Sequence, residues 1–230
     1  MTVRRVAFFG GSFDPPHFGH LAVARAARDL LGLDLILFAP VGVQPLKGSG
    51  AGAGFEDRVA MTRLAVDGEV GFEVSVVDAP QVDGSGSAHA NFTIETLERL
   101  RGELPPETAL FHLMGADSFR SLRLWRRAAE IPFAAEIIVA SRPGEPLEDL
   151  ASSLPEGLRL STPEEIAVGG GGVRRYVVQD KTGRSARLFF LPELRVDISA
   201  TGIRGERETL NERVPEAVME YIFAHRLYGH

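Results

Sequence analysis

The segment GGSFDPPHFGH at residues 10–20 joins a short apolar run to an amphipathic stretch. The run Val6–Phe9 is typical of a buried strand, and the apolar residues after the segment recur at helical spacing. In an open parallel sheet, the carboxyl ends of the strands face the ligand crevice, and the helix that follows presents free backbone N–H groups to phosphate. Gly10 and Gly11 allow the backbone to approach a ligand closely. The segment therefore predicts a nucleotide site where the first strand passes into the first helix.

His17 and His20 are the groups of this segment that can act chemically. Because they are three residues apart, they lie on one face of a helix near its N-terminus. Two imidazoles in that position can donate hydrogen bonds to a triphosphate. A metal-binding pair is one alternative, but zinc sites take a third protein ligand, and no Cys, His or acidic residue stands nearby at a known spacing. Surface histidines without a chemical role are the other alternative.

Strand-like runs alternate with helix-like stretches along the chain. The predicted strands are Val3–Phe9, Leu35–Ala39, Phe72–Val77, Ala109–Met114 and Glu136–Ala140, and the predicted helices are Phe18–Leu31, Phe55–Val66 and a stretch that begins near Asn91. The glycine-rich stretch Pro40–Gly54 is predicted to be a loop. Two later runs, Val173–Val178 and Ala186–Leu191, flank turn residues and predict a β-hairpin. The alternation predicts an α/β protein with a doubly wound parallel sheet and right-handed crossovers.

Composition and charge exclude several classes of partner. The net charge is −6, and no Lys/Arg block exceeds two residues, which argues against nucleic-acid binding through a basic face. The chain has no cysteine, so disulfides and thiolate metal sites are excluded. No apolar run reaches the length of a membrane span or a signal-peptide core. We therefore expect a cytoplasmic protein without nucleic-acid or membrane partners.

Several motifs follow one another in an order that resembles a known family. They are GGSFDPPHFGH, PLK at 45–47, NFTIETL at 91–97, FHLMGADSF at 111–119, Trp125, SRPG at 141–144, ISATGIR at 198–204 and the closing VPEAVMEYIFAHRLYG. The HFGH element is similar to the signature of the HxGH nucleotidyltransferases. The doubled glycine with Pro-Pro-His most resembles the bacterial nicotinate mononucleotide adenylyltransferases. The resemblance implies a Rossmann-like nucleotidyltransferase fold with C-terminal helices.

The resemblance also implies a reaction. The family transfers the adenylyl group of ATP to nicotinate mononucleotide by direct in-line attack, giving deamido-NAD and pyrophosphate. Magnesium would arrive with ATP, and neither a metal held by the protein nor a tightly bound organic cofactor is implied. One alternative is a sibling enzyme that adenylates nicotinamide mononucleotide or phosphopantetheine. Another is a nucleotide-binding sensor that has lost turnover. The sequence lacks GxGxxG in the first turn and has no Walker A pattern, which disfavours a nicotinamide-dependent dehydrogenase and a P-loop ATPase.

Four residues receive catalytic roles from the resemblance. His20 would contact the α-phosphate, His17 the leaving β- and γ-phosphates, and Arg204 the pyrophosphate. Lys47 would contact phosphate, although a lysine in a Gly/Pro loop is by default simply solvated. The family usually shows Pro-Pro-His-Lys here, whereas this chain has Leu46 before the lysine.

The same resemblance implies an ATP site and a mononucleotide site. The ATP-binding residues would be Gly10, Gly11, Ser12, Phe13, Gly115, Asp117, Ser141, Arg142, Ile198, Ser199 and Thr201. Asp117 could accept from the ribose hydroxyls or cap a helix, and Ser199 also reads as an ordinary helix N-cap. Trp125, in the stretch SLRLWRRAAEI, would stack on the pyridine ring. Composition alone instead favours an amphipathic helix that places this side chain in the protein core. Thr93 would contact the pyridine carboxylate, and Glu95 stands where the family has Asp.

Relative to the family, residues 145–191 read as an insertion. We expect one nucleotidyltransferase domain over residues 1–230 that carries this insertion, although a chain of 230 residues also has room for two domains. The predicted hairpin falls within it. We interpret the insertion as a surface addition or as a contact between subunits of a homo-oligomer.

Overall fold

The computed structural model describes residues 4–43, 52–82, 88–141, 153–168, 171–192 and 210–229. The strands are β1 (Arg5–Gly11), β2 (Leu35–Pro40), β3 (Phe72–Val74), β4 (Gln81–Val82), β5 (Ala88–His89), β6 (Ala109–Gly115), β7 (Glu136–Ala140), β8 (Arg159–Leu160), β9 (Glu164–Val168), β10 (Gly171–Gln179) and β11 (Ser185–Phe190). The helices are α1 (Phe18–Leu31), α2 (Phe55–Val66), α3 (Thr93–Glu103), α4 (Ala116–Ser121), α5 (Ile131–Ala134), α6 (Leu210–Arg213) and α7 (Glu216–Ala224), with 3₁₀ turns at Leu122–Leu124, Ala128–Glu130 and Leu227–Gly229.

One large sheet organises the described part of the chain. Its strand order is β3-β2-β1-β6-β7-β11-β10-β8, and β9 also pairs with β10. The neighbours from β3 to β11 are all parallel, whereas β10 runs antiparallel to β11, β8 and β9. The predicted α/β fold with a doubly wound parallel sheet is therefore confirmed, with antiparallel strands extending one side.

The strand order reverses at β1. This strand pairs with β2 on one side and with β6 on the other, so the chain leaves β1 in one direction along the sheet and later returns to its opposite edge. In doubly wound sheets, ligands bind in the crevice at the carboxyl ends of the strands where the order reverses. The loop that carries both histidines leaves β1 at this point.

Alternating side chains of β1 fill two cores on opposite faces of the sheet. Val6 and Phe8 pack in the cluster that includes residues of α3 and α4, whereas Ala7 and Phe9 pack in the cluster that includes the apolar face of α1. A third cluster joins α2 to α6 and α7 through Met61, Ala65, Leu210, Val218 and Ile222. The helical layers on both faces bury the sheet, which explains why its parallel strands read as continuous apolar runs.

Most predicted elements occur where the sequence places them. α1, α2 and β7 begin and end at the predicted residues. α1 ends at Gly32, which has φ 59° and can adopt this left-handed conformation without a steric penalty. The strand predicted at 72–77 is wrong beyond Val74. The backbone turns there, because the Val77 N–H donates to Ser75 Oγ at 3.2 Å and the Ala79 N–H donates to the Val76 carbonyl at 2.9 Å.

The amphipathic helix predicted around Trp125 is wrong. The chain instead forms a 3₁₀ turn, extends at Trp125 (ψ 154°) and enters the left-handed region at Arg127 (φ 50°). The Arg127 guanidinium donates to the carboxylates of Glu98 and Glu130. The break thus coincides with one local and one long-range ion pair, which helical spacing alone does not reveal.

The predicted hairpin is confirmed as β10 and β11, but its surface position is wrong for β11. β11 pairs in parallel with β7, and Leu188, Phe189 and Phe190 are buried. Both strands of the hairpin thus belong to the central sheet, and the side chains of β11 pack in the apolar cores on both of its faces. β8 and β9 were not expected from the sequence. The division into one domain with an insertion at 145–191 stays a prediction.

None of the helices in the described ranges combines the length and the apolar character needed to span a bilayer.

Candidate active site

His17 and His20 meet at the N-terminus of α1. His17 is the N-cap residue, with extended backbone (φ −147°, ψ 168°), and its backbone N–H donates to His20 Nδ1 at 3.2 Å. The two rings stack with centroids 3.7 Å apart. Because His20 Nδ1 accepts a hydrogen bond, the neutral ring carries its proton on Nε2. The cap thus fixes which nitrogen of His20 is the donor.

Aromatic rings and glycines shape the loop around this pair. Phe13, buried and with φ 47°, places its ring edge against His20 at a centroid distance of 4.9 Å. A Cβ on Gly10 would come within 2.7 Å of the Phe8 ring, and a Cβ on Gly11 within 3.2 Å of the Phe13 ring. Both glycines are therefore required by the packing of neighbouring rings as well as by any close approach of a ligand.

The ends of β6 and β7 form the neighbouring part of the same sheet edge. Gly115, opposite Ala140 in the register, is the N-cap of α4, and no side chain caps this helix. The helix-cap interpretation of Asp117 is therefore wrong, and its exposed carboxylate accepts instead from Arg120 at 3.2 Å. Ser141 follows β7, and its buried Oγ has no hydrogen-bond partner among the described residues.

Trp125 lies beside the start of α3. The Arg126 guanidinium lies over the Phe92 ring at 4.7 Å and pairs with Glu95 at 3.3 Å. Thr93, the first residue of α3, stands between those two contact residues in sequence. The half-buried indole packs against the core, so the core interpretation is correct in part, and its Nε1–H donates to Ser121 Oγ at 3.0 Å.

Polar residues fix the segment that leads into α3. Asn91 Oδ1 accepts from the Val43 N–H at 2.9 Å, which ties the entry of the helix to the end of β2. Thr96 Oγ1 donates to Asp78 Oδ1 at 2.6 Å. Burial raises the pKa of Asp78, and the hydrogen bond from Thr96 opposes that shift. These bonds hold Thr93 close to the carboxyl edge of the sheet.

His112 lies on β6 beneath this region and is buried between rings. Its imidazole is 5.3 Å from Phe8 and 6.0 Å from Trp125, centroid to centroid. Burial lowers the pKa of His112 to about 3, so the ring is neutral at physiological pH. The sequence predicts only a strand here, and a lone histidine in an apolar run carries no signal of this position.

Nearly the whole chain aligns with known proteins. A family model described as cytidylyltransferase-like matches residues 8–206. Probable nicotinate-nucleotide adenylyltransferases from Pelobacter propionicus and Laribacter hongkongensis are 33% and 38% identical, covering 98% and 97% of this chain and 98% and 94% of the relatives. The chain belongs to the nicotinate-nucleotide adenylyltransferase family.

Solved structures share the fold of this adenylyltransferase family member. The Plasmodium falciparum nicotinic acid mononucleotide adenylyltransferase complexed with NaAD matches with a TM-score of 0.66 at 14% identity, covering 98% of both chains. A putative nicotinate-nucleotide adenylyltransferase from Vibrio parahaemolyticus matches with a TM-score of 0.57 at 17% identity, covering 96% of this chain and 99% of that one. At these identities the likeness establishes the Rossmann-like fold.

Some of the residues predicted for this adenylyltransferase are brought together at one sheet edge, and others lie elsewhere in the sequence. Gly10, Gly11 and Gly115 are the last residues of β1 and β6. The residues that follow the carboxyl ends of β1, β6 or β7 are Ser12, Phe13, His17, His20, Asp117 and Ser141. Thr93 and Trp125 lie on neighbouring segments. The remaining predicted residues fall outside the described ranges: Lys47, Arg142, Ile198, Ser199, Thr201 and Arg204. The individual roles stay predictions.

Two buried charged residues of the site were missed from the sequence. Arg58, on α2, donates to the Ser12 carbonyl at 2.7 Å and to the Val41 carbonyl at 2.8 Å. Burial lowers the pKa of Arg58, and the charge of Asp14 opposes that shift. Asp14 itself stands inside the histidine segment and is 4% exposed. The position of Asp14 between Phe13 and the two prolines was a sequence signal that could have drawn attention to it. No comparable signal marks Arg58.

No group of three or more His, Cys, Asp or Glu side chains suited to a metal ion occurs among the residues that the structure describes.

Proposed function

We propose that this protein transfers the adenylyl group of ATP to nicotinate mononucleotide, forming deamido-NAD and releasing pyrophosphate. The observation that carries the proposal is the stacked pair His17 and His20 at the N-terminus of α1, in the crevice beside β1 and β6. Family membership and the names of the relatives support the choice of acceptor.

The main tasks of the protein in this reaction are to position the two substrates and to stabilise the negative charge that develops. A 5′-phosphate oxygen of the mononucleotide attacks the α-phosphorus of ATP, and the bond from that phosphorus to the bridging oxygen of pyrophosphate breaks. Negative charge develops on the nonbridging and leaving oxygens. His20 Nε2–H donates to the α-phosphate in this proposal, and His17 donates to the leaving phosphates. Fixed donors of this kind stabilise the transition state without reorganising during the reaction.

Magnesium enters this proposal with the substrate. When bound to the triphosphate, Mg²⁺ neutralises charge on the phosphate oxygens. Mg²⁺ prefers oxygen ligands, whereas His17 and His20 offer imidazole nitrogens, and the Asp14 carboxylate accepts from protein donors, the Gly52 and Ala53 amides and the Tyr228 hydroxyl. The protein's own groups therefore bind the phosphates directly, and the sequence resemblance adds Lys47 and Arg204 to them.

The adenosine and pyridine ends occupy different parts of the crevice in this proposal. The adenosine lies against Gly115, Asp117 and Ser141, and the unpartnered buried Oγ of Ser141 supports a ligand contact there. The pyridine ring lies on Trp125, and Thr93 contacts its carboxylate. The contacts of Arg126 with Phe92 and Glu95 support this assignment because they hold the tryptophan segment beside Thr93. ATP and a mononucleotide acceptor are cytoplasmic metabolites, so we propose that location for the enzyme.

Pyrophosphate release tests the function. Purified protein is supplied with ATP and magnesium, and nicotinate mononucleotide, nicotinamide mononucleotide and phosphopantetheine are compared in parallel. We expect rapid release with nicotinate mononucleotide and slow release with the other two. Faster release with another acceptor would identify a sibling activity. ATP binding without release from any acceptor would instead identify a nucleotide-binding sensor.

A further inference from the structure

The end of the described chain contacts the histidine loop. Asp14 lies between β1 and α1, and its Oδ1 accepts from the Tyr228 hydroxyl at 2.6 Å. The same carboxylate accepts from the backbone N–H groups of Gly52 and Ala53, each at 3.0 Å. A phenol from the last 3₁₀ turn and two amides from the approach to α2 thus converge on one buried acid. The closing motif of the sequence has no other role in the proposed chemistry.

The backbone of Tyr228 is strained. It has φ 60° and ψ 18°, in the left-handed region that costs a residue with a side chain about 1–2 kcal/mol. Strained conformations persist where the surrounding structure over-determines them, and they cluster at functional sites. The strained residue places its hydroxyl on Asp14. The turn is therefore held in a conformation that serves this contact.

Asp14 is well placed to control both histidines. It precedes His17 by three residues, and Pro15 and Pro16 restrict the backbone between them. On the other side of Asp14, the neighbouring Phe13 places its ring against His20. Asp14 is therefore joined through the backbone to the cap residue His17 on one side and to Phe13, whose ring flanks His20, on the other.

We infer that Tyr228 is a positioning residue for adenylyl transfer, acting through Asp14 on His17 and His20. The inference rests on the proposed function for its kinetic consequence, but its structural part does not. Misplacement of catalytic groups by about 1 Å can lower a rate by about 10²-fold. Tyr228→Phe removes the hydrogen bond from the phenol to Asp14 and leaves those from the Gly52 and Ala53 amides, so a loss of about 10-fold in kcat is expected.

The chain offers a matched control in Tyr221. Its hydroxyl, on α7, donates to Asp57 Oδ1 at 3.0 Å. Asp57 lies on α2 and not in the histidine loop. Tyr221→Phe therefore removes the same kind of phenol–carboxylate bond from the same C-terminal region without acting on Asp14. The pair of variants separates a specific effect on the loop from a general loosening of the C-terminal helices.

The kinetic test compares Tyr228→Phe, Tyr221→Phe and Asp14→Ala with the wild type. We expect kcat to fall with Tyr228→Phe, the KM values for ATP and the mononucleotide to change less than about 3-fold, and Tyr221→Phe to remain close to wild type. The double variant Tyr228→Phe/Asp14→Ala should be no slower than Asp14→Ala alone, because Asp14→Ala already removes the acceptor of the Tyr228 hydroxyl. Unchanged kcat in Tyr228→Phe, or equal losses in both tyrosine variants, would overturn the inference.

A second measurement does not require turnover. In protein labelled with ¹⁵N-histidine, Tyr228→Phe should shift the imidazole resonances of His17 and His20. Tyr221→Phe should instead shift those of His225, whose ring stacks on Tyr221 at 3.9 Å. Unmoved His17 and His20 signals in Tyr228→Phe would overturn the inference even in an active enzyme. If Tyr228→Phe shifts these signals while the wild-type protein releases no pyrophosphate, the structural part of the inference would be supported and the proposed function would be contradicted.

Discussion

At the scale of single residues, the site depends on which imidazole nitrogen points its proton outward. The bond from the His17 backbone to His20 Nδ1 leaves the neutral ring protonated on Nε2. A residue that lacks a donor at that position cannot stabilise charge on the α-phosphate. The hydrogen bond inside the protein and the one proposed to the substrate therefore use opposite sides of the same ring.

His20→Ala should lower kcat by about 10²–10³-fold, because removal of one donor to a developing oxyanion has that magnitude. Steady-state pyrophosphate release at saturating substrates measures the change. Asn places a donor and an acceptor on a shorter side chain, so His20→Asn should retain more activity than His20→Ala. Near-normal turnover in a folded His20→Ala protein would remove this histidine from the proposed mechanism.

The sequence predicts those features of the site that depend on residues close together in the chain. Two histidines three apart beside a strand end are visible in the sequence, and the structure stacks their rings. Asp14 and Tyr228 were not paired by the sequence because 214 positions separate them. Arg58 was missed because a buried arginine on an otherwise ordinary helix gives no periodic signal.

At the scale of elements, the break in the segment between α4 and α5 decides how Trp125 is presented. A continuous helix would turn the indole into the core at regular spacing. The extended backbone at Trp125 instead leaves the ring half-buried, with its N–H on Ser121 and one face against the core. Arg127, in the left-handed conformation at this break, pairs with Glu98 and Glu130, and helical periodicity reveals neither feature.

Trp125→Ala should raise the KM for the pyridine mononucleotide by about 5–150-fold, since stacking of a base on an aromatic ring is worth about 1–3 kcal/mol. The KM for ATP should change far less. Leu124→Ala is the matched control, because Leu124 is the preceding apolar residue and its exposed fraction is 66%. Equal increases in both KM values, or unfolding of the variant, would assign Trp125 to the core alone.

β11 shows a second limit at this scale. Its apolar run predicts a strand, but the sequence of one strand does not determine which other strand it pairs with. Pairing with β7 is favoured because Leu188 and Phe190 complete one core and Phe189 completes the other. Such a choice depends on surfaces that form only when distant parts of the chain come together.

At the scale of the whole molecule, one buried group should make stability depend on pH. Burial lowers the pKa of His112 to about 3, whereas histidine in an unfolded chain titrates near 6.5. Below that unfolded value, the unfolded chain binds a proton that the folded chain does not. The free energy of unfolding therefore falls as the pH drops from about 6.5 towards 3, with no further loss from this group below that.

His112→Phe should flatten this dependence. Between pH 7 and pH 5 the wild type should lose about 2 kcal/mol through this group, and the variant should lose correspondingly less. Urea unfolding at several pH values measures both. The aromatic neighbours Phe8 and Trp125 suit a phenyl ring at this position. Parallel pH profiles for the two proteins would show that His112 does not titrate as its burial requires.

The position of β1 in the sheet has a consequence for how the chain folds. Its pairing with β2 spans about thirty residues, because Val6 lies opposite Leu35, whereas its pairing with β6 joins Arg5 to Ala109. During synthesis, the first edge of β1 can be covered early, but the second stays open until β6 has been made. An open apolar strand edge favours aggregation. We therefore expect incomplete chains that stop before β6 to depend strongly on chaperones.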